Sequence, residues 1–305
     1  MDMITILFCS IDDFCKWFMP LWEQMLLEEG NPKKSQRDGT MSPSEVMTLL
    51  VLFHQSNQRH FKGFYTHYVP QVLGGAFPKR VSYQRFVELS QSVMIPLSAY
   101  LHSRRVNSRG IAFIDSTPLK VCHNRRISHH KTFANLAQRG KNSIGWYFGF
   151  KLHLVIDDTG ELISFFLTAA NFDDRKGLRA MTQFIQGKLY GDKGYISKAL
   201  KATLKTQGIE LITGVRKNMK KESLSEFDTI MLKKRSLIET VIGQLKSFTQ
   251  IEHTRHCSVL GFMVNVVAGL IAYTWKLHKP SLMSRINPKL DDGFNLLNPS
   301  QPIFI

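Results

Sequence analysis

The chain has 305 residues, with 40 Lys+Arg against 24 Asp+Glu, a formal net charge of +16 and a sequence pI near 9.8. That length predicts one large domain with a smaller companion, and the charge points to a polyanionic partner, nucleic acid first and an anionic membrane second. The four cysteines, Cys9, Cys15, Cys122 and Cys257, form no CxxC pair, which argues against a zinc ribbon or a disulfide framework and for reduced thiols.

In chain order, Phe14, Trp17, Phe18, Leu21, Trp22, Met25 and Leu26 recur at three- and four-residue spacings, so residues 4–28 read as an amphipathic helix bent at Pro20. A second helix opens at Ser42-Pro43 and runs to about Gln55. Ser42 suits the N-cap, Pro43 the first helical position, and Glu45 completes a capping box. After the aromatic and basic stretch 60–78, a further helix is expected from Ser82 to about His102. Short helices carrying Lys62, Lys79, Arg80 and Arg85 would suit a helix-turn-helix-like DNA reader, although any small helical domain has this appearance.

The polar stretch HSRRVNSRG (102–110) reads as a linker, giving a helical domain over 1–105 and a second domain over 106–279. The second begins with strands IAFID (111–115), GFKLHLVID (149–157) and ELISFFLTA (161–169), the last two joined by the hairpin signal Asp158-Thr159-Gly160. Helical spacing over 175–186, a strand KLYGD, a helix over 197–207 and a strand over 209–215 follow, which makes a mixed sheet covered by helices. The apolar segment 258–278 reads as a buried helix rather than a membrane span, because Asn265 and two glycines interrupt it. A polar tail occupies 280–305, and no export signal opens the chain, so a cytoplasmic location is expected.

Three carboxylates stand out: Asp115 and Asp192, each at the end of an apolar run, and Glu239 inside the helical pattern RSLIETVIGQLK. Phosphodiester chemistry uses such sets, because two divalent ions roughly 4 Å apart need hard oxygen ligands. At about 100° per residue, Arg235 falls near −40° and Lys246 near −20° from Glu239, with Leu237, Ile238, Val241 and Leu245 on the other side and Ile242 at the border. Taken alone, that face reads first as a solvated row of charges. Asp157 and Asp158 suit a hairpin turn, and Asp173 and Asp174 a helix N-terminus. His153 on its strand either attends the metals or sits hydrogen-bonded in the core. No nucleotide-binding loop of the GxxxxGK[ST] or GxGxxG kind is present, so no nucleotide cofactor is expected.

Read together, these words resemble the DDE transposases of bacterial insertion sequences. Asp115-Ser116-Thr117 resembles the first catalytic motif of that family, Asp192-Lys193-Gly194-Tyr195 its Asp-x-x-Tyr motif, and Arg235-x3-Glu239-x6-Lys246 its Tyr-Arg-Glu-Lys signature, over roughly residues 106–278. The family's tyrosine falls at Leu232, so its phosphate contact is absent or comes from Lys233 or Lys234. The resemblance implies an α/β, ribonuclease H-like domain behind a small all-α domain. It further implies two Mg²⁺ ions, with Mn²⁺ as a substitute, held by Asp115, Asp192 and Glu239. Duplex DNA would be the substrate, both as transposon ends and as target, handled by a homodimer in a bacterial cytoplasm.

The residues expected at the DNA are Arg235, Lys246, Lys193 and Tyr195 beside the site, Arg125 and Arg126 in the loop 123–142, and Lys220, Lys221, Lys233 and Lys234 before the Glu239 helix. The alternatives are a nuclease or resolvase on the same fold and a non-catalytic DNA-binding regulator.

Overall fold

The computed structural model describes residues 2–30, 39–215, 218–219, 223–252 and 256–282. These residues divide into two compact units, one within 2–104 with 248–275 and the other within 105–247 with 276–282.

The first unit is helical. Helix α1 (Met3–Glu28) contains Pro20, and α2 (Pro43–Gln55) starts with the full capping box, Ser42 Oγ accepting from the Glu45 N–H and Glu45 Oε2 from the Ser42 N–H. The aromatic stretch forms short helices α3 (Phe61–Gly63) and α4 (Val69–Val72) on either side of a π-helical turn. The single helix expected over 82–102 is two, α5 (Tyr83–Ser92) and α6 (Met94–Ser103), hinged at Val93. Pro96 has no N–H to give to Ser92 and its ring would crowd that carbonyl, which favours a restart there.

Helix α11 (Val259–Thr274) packs against α2, α5 and α6. The sequence reading places this segment with the second domain, whereas the structure groups it with the N-terminal helices. From Val266 to Tyr273 every residue is buried, so the helix needs apolar neighbours on all sides, and those faces supply them. No described helix is long and apolar enough to cross a membrane.

The second unit is built on a six-stranded sheet. Strand β1 (Gly110–Cys122) pairs antiparallel with β3 (Trp146–Asp157) and parallel with β5 (Gly187–Gly191), and β5 pairs parallel with β6 (Ile209–Thr213). Strand β4 (Leu162–Ala169) and the short β2 (Gln138–Lys141) share the outer edge of β3. Apart from β2 the strands therefore run β4-β3-β1-β5-β6, two antiparallel pairings followed by two parallel ones, which is the ribonuclease H-like arrangement. The β3–β4 turn holds because Asp157 Oδ1 accepts from the Thr159 N–H, the Thr159 hydroxyl and the Glu161 N–H, and Gly160 takes φ +77°.

Strand parity assigns the two faces, since directly paired residues point to the same side. Ala112, Ile114, Val155, Leu189 and Leu211 face a core made with α7 (Asp174–Met181) and α8 (Lys198–Thr206). The residues between them, Phe113 and Asp115 among them, face α9 (Glu226–Lys234) and α10 (Ser236–Ser247).

Candidate active site

Asp115 lies within β1, not at its exit as the pattern IAFID suggests, because β1 continues through Pro118 along β3. Pro118 lacks a ladder donor, yet β1 has no parallel neighbour beyond Phe113, where a strand tolerates proline. The parallel register runs Gly110↔Gly187 to Phe113↔Tyr190. Extended by two residues it sets Asp115 beside Asp192, which follows the last residue of β5. Both acids thus sit where the parallel strands end, the position at which open α/β sheets place their ligands.

Glu239 reaches the same face from the first turn of α10, where a carboxylate suits the helix N-terminal charge. Arg235, the C-cap of α9, ties the set together: its Nη1 donates to Asp115 Oδ2 at 3.2 Å and its Nη2 to Glu239 Oε1 at 2.6 Å. Burial raises the Asp115 carboxyl to about 6, the Ser116 N–H and Arg235 oppose the rise, and the charges of Asp192 and Glu239 add to it. Asp192 Oδ1 accepts from the Gly194 N–H at 2.7 Å, which turns the chain into its 3₁₀ segment Lys193–Tyr195. Among the described residues, no three His, Cys, Asp or Glu side chains converge closely enough to hold a metal ion as they stand. Arg235 bridges two of the three acids of this face.

Two expected site residues lie on the other face. His153 pairs with Ser116 and so points toward α7, where it is fully buried with Nε2 2.9 Å from Thr168 Oγ1. Burial lowers its pKa to about 4, and a Cβ on Gly177 would press within 3.4 Å of the ring. From there it cannot attend ions on the Asp115 face, so the accessory role is replaced by a core one. Tyr195 is equally displaced from the DNA contact expected of it. Its ring, 1% exposed, belongs to the core with Ile114, Leu200 and Leu204.

The Tyr195 hydroxyl is buried without a partner of normal hydrogen-bond geometry, and a weaker approach to Ser116 offsets little of that burial. Tyr195→Phe removes only that hydroxyl, so thermal stability should hold or rise and DNA affinity should be unchanged. A gel-shift assay showing several-fold weaker binding would restore a DNA role.

The basic residues divide between exposed and half-buried. Arg125, Arg126, Lys193 and Lys233 are exposed, Lys234 is half-buried, and Lys246 is half-buried about two turns beyond Glu239. Leu232, at the family's tyrosine position, is half-buried in α9. Lys220 and Lys221 lie outside the described residues.

Sequence reasoning missed Asp228. Its carboxylate accepts from Lys188 Nζ (2.7 Å), Tyr190 Oη (2.8 Å) and Ser225 Oγ (2.6 Å), pinning α9 to β5 just ahead of Arg235. These bonds lower its pKa although burial alone would raise it. The only local signal is Ser225-x-x-Asp228, which reads as an exposed helix cap.

A ribonuclease H-like sheet with one acid inside β1, a second just past β5 and a third on a following helix is the frame of a class of polynucleotide-processing domains. A family model described as "Transposase DDE domain" matches residues 105–259, just over half of the chain. The protein belongs to that family of transposases. Among solved structures, the cryo-EM structure of the piggyBac transposase synaptic complex with hairpin DNA is 12% identical with a TM-score of 0.45, covering 90% of this chain and 75% of that one. The crystal structure of the Mos1 strand transfer complex is 11% identical with a TM-score of 0.22, covering 73% of this chain and 80% of that one. No curated protein matches.

Proposed function

We propose that the protein binds the ends of a mobile DNA element and catalyses metal-dependent cleavage and strand transfer, with Asp115, Asp192 and Glu239 as the catalytic carboxylates. The observation that carries this reading is the register: it sets Asp115 beside Asp192 on the face to which α10 brings Glu239. Their carboxylates are the donor type that a hard divalent cation such as Mg²⁺ or Mn²⁺ takes, and Arg235 would have to release Asp115 and Glu239 before the three acids could close on one. Their oxygens share one face, and burial with mutual repulsion holds Asp115 at about 6 in the absence of a counter-charge beyond Arg235. A divalent ion held by these acids would supply Lewis-acid stabilisation of the phosphate and activation of water or a 3′-hydroxyl.

The chain's own groups do the remaining work. Arg235 holds Asp115 and Glu239 in one orientation and, on moving aside, presents a planar donor fork to a phosphate. Asp228 fixes the helix that carries it. No serine, cysteine or tyrosine nucleophile is required, because the attacking oxygen is that of water or of the DNA end. Two ends joined in one reaction call for a homodimer on DNA, and the helical unit is suited to reading those ends.

The test is incubation of the protein with Mg²⁺, labelled element ends and a supercoiled target. Joined products are expected; nicked or linear DNA without joining would leave a nuclease, and no cleavage at all would reject the catalytic reading. Exposed Arg125 and Arg126 are assigned to backbone contacts. Their double alanine variant should lower the slope of log K against log salt by about 1.8, and an unchanged slope would remove them from the interface.

A further inference from the structure

The helical unit contains a cavity of about 450 Å³ that the catalytic reading does not use. That size lies within the range of small-ligand sites. Its walls include the rings of Phe53, Phe61 and Tyr83, with Phe61 5.0 Å from Phe53 and 6.3 Å from Tyr83 between centroids. Such a lining suits a flat ring better than a flexible aliphatic ligand, because aromatic rings stack on and edge against one another.

The walls are mainly apolar by area, but polar side chains border them at several points, His54, Gln91 and His256 among them. The amide Nδ2 of Asn265, on α11, is buried at the cavity without a hydrogen-bond partner among the described residues. A buried donor left unsatisfied by protein atoms is uncommon and is open to an acceptor from a ligand or an ordered water. Opposite in character is the rim, where Arg59 and Lys62 are exposed and Ser258 caps the N-terminus of the 16-residue α11. Two cations beside a helix N-terminus favour an anion.

A flat ring with a hydrogen-bond acceptor inside and an anionic group outside is the chemistry of a nucleotide. We propose that this cavity binds one nucleotide, its base against the aromatic wall of Phe53, Phe61 and Tyr83 with a ring nitrogen or carbonyl accepting from Asn265, and its phosphate at Arg59, Lys62 and the start of α11. Stacking on aromatic side chains tolerates any base, so the cavity selects an unpaired nucleotide rather than a sequence. The inference rests on the DNA-end reading only for its source, which is either a nucleotide displaced from a strand or a free one.

The test uses the full chain in EDTA, so that cleavage is silent, with two probes: 2-aminopurine deoxynucleoside monophosphate and a single-stranded oligonucleotide carrying one 2-aminopurine. Stacking in the cavity should quench the fluorescence. Asn265→Leu should weaken binding about tenfold, and Val87→Trp, which fills the cavity from α5, should abolish quenching while circular dichroism reports an intact fold. Quenching of the oligonucleotide alone assigns a nucleotide within a strand; equal quenching of both assigns a free one. The proposal is overturned if neither probe is quenched, or if both variants quench as the unaltered chain does. Quenching without any Mg²⁺-dependent cleavage would reject the catalytic reading and leave this site standing.

Discussion

Replacing Asp115, Asp192 or Glu239 singly by alanine should lower Mg²⁺-dependent cleavage of element ends by about 10³-fold or more, as removal of one member of a catalytic set does, while DNA affinity in EDTA stays within a few-fold. The separation of the two readouts follows from placement. The acids repel the backbone they act on, so their loss cannot weaken phosphate binding through lost attraction. Asp115→Ala also frees one arm of Arg235, which then keeps only Glu239. Asp115→Asn keeps the shape and the Arg235 contact but removes the charge, and it should be as inactive as alanine. Cleavage by either Asp115 variant near the unaltered rate would remove the residue from the proposed site. Loss of DNA binding together with cleavage would instead indicate a folding defect, which circular dichroism would reveal.

The largest effect on stability is expected at Gly149→Ala. Gly149 is paired with Lys120 of β1 on one side and Gln138 of β2 on the other, at the point where the β1–β3 register shifts. A Cβ there would lie 2.1 Å from the Leu119 carbonyl oxygen and 3.1 Å from Lys120 Cα. These are backbone atoms of a central strand and cannot swing aside as a side chain would, so β1 itself must move. The expected loss is about 3 kcal/mol, and at 2–4 °C per kcal/mol the melting temperature falls by roughly 6–12 °C. Gly243→Ala is the opposite control: it is exposed in α10 with nothing within 4 Å of the added Cβ, and should stabilise by up to about 1 kcal/mol. Equal melting temperatures for Gly149→Ala and the unaltered chain would show that β1 has room to spare.

Much of this fold is legible in the sequence where the determining contacts are local. The Ser42-Pro43-Glu45 cap and the Asp157–Gly160 turn are each closed by atoms within four residues of one another, and both form as their sequences indicate. The continuation of β1 past Asp115 was not legible, because Pro118 reads as a breaker until the absent parallel neighbour is known. Nor could the sequence orient Tyr195, since the turn made by Asp192 and Gly194 decides which side of the sheet the ring enters. His153 was readable only in part: its strand was evident, but its face depends on pairing with Ser116 rather than with Asp115. Asp228 was invisible because its three partners come from β5 and from its own cap, and only the first two make it buried.

Strand β3 has twelve residues, and no single neighbour covers its outer side; four-residue β2 and eight-residue β4 divide it between them. The far edge, β6, has only five. Long bare strand edges invite pairing with another chain, and short edges bearing charge discourage it. Three of the four β2 residues are exposed, and two of those, Arg139 and Lys141, are cations. Where β2 forms the edge, its exposed cations thus discourage another chain from extending the sheet.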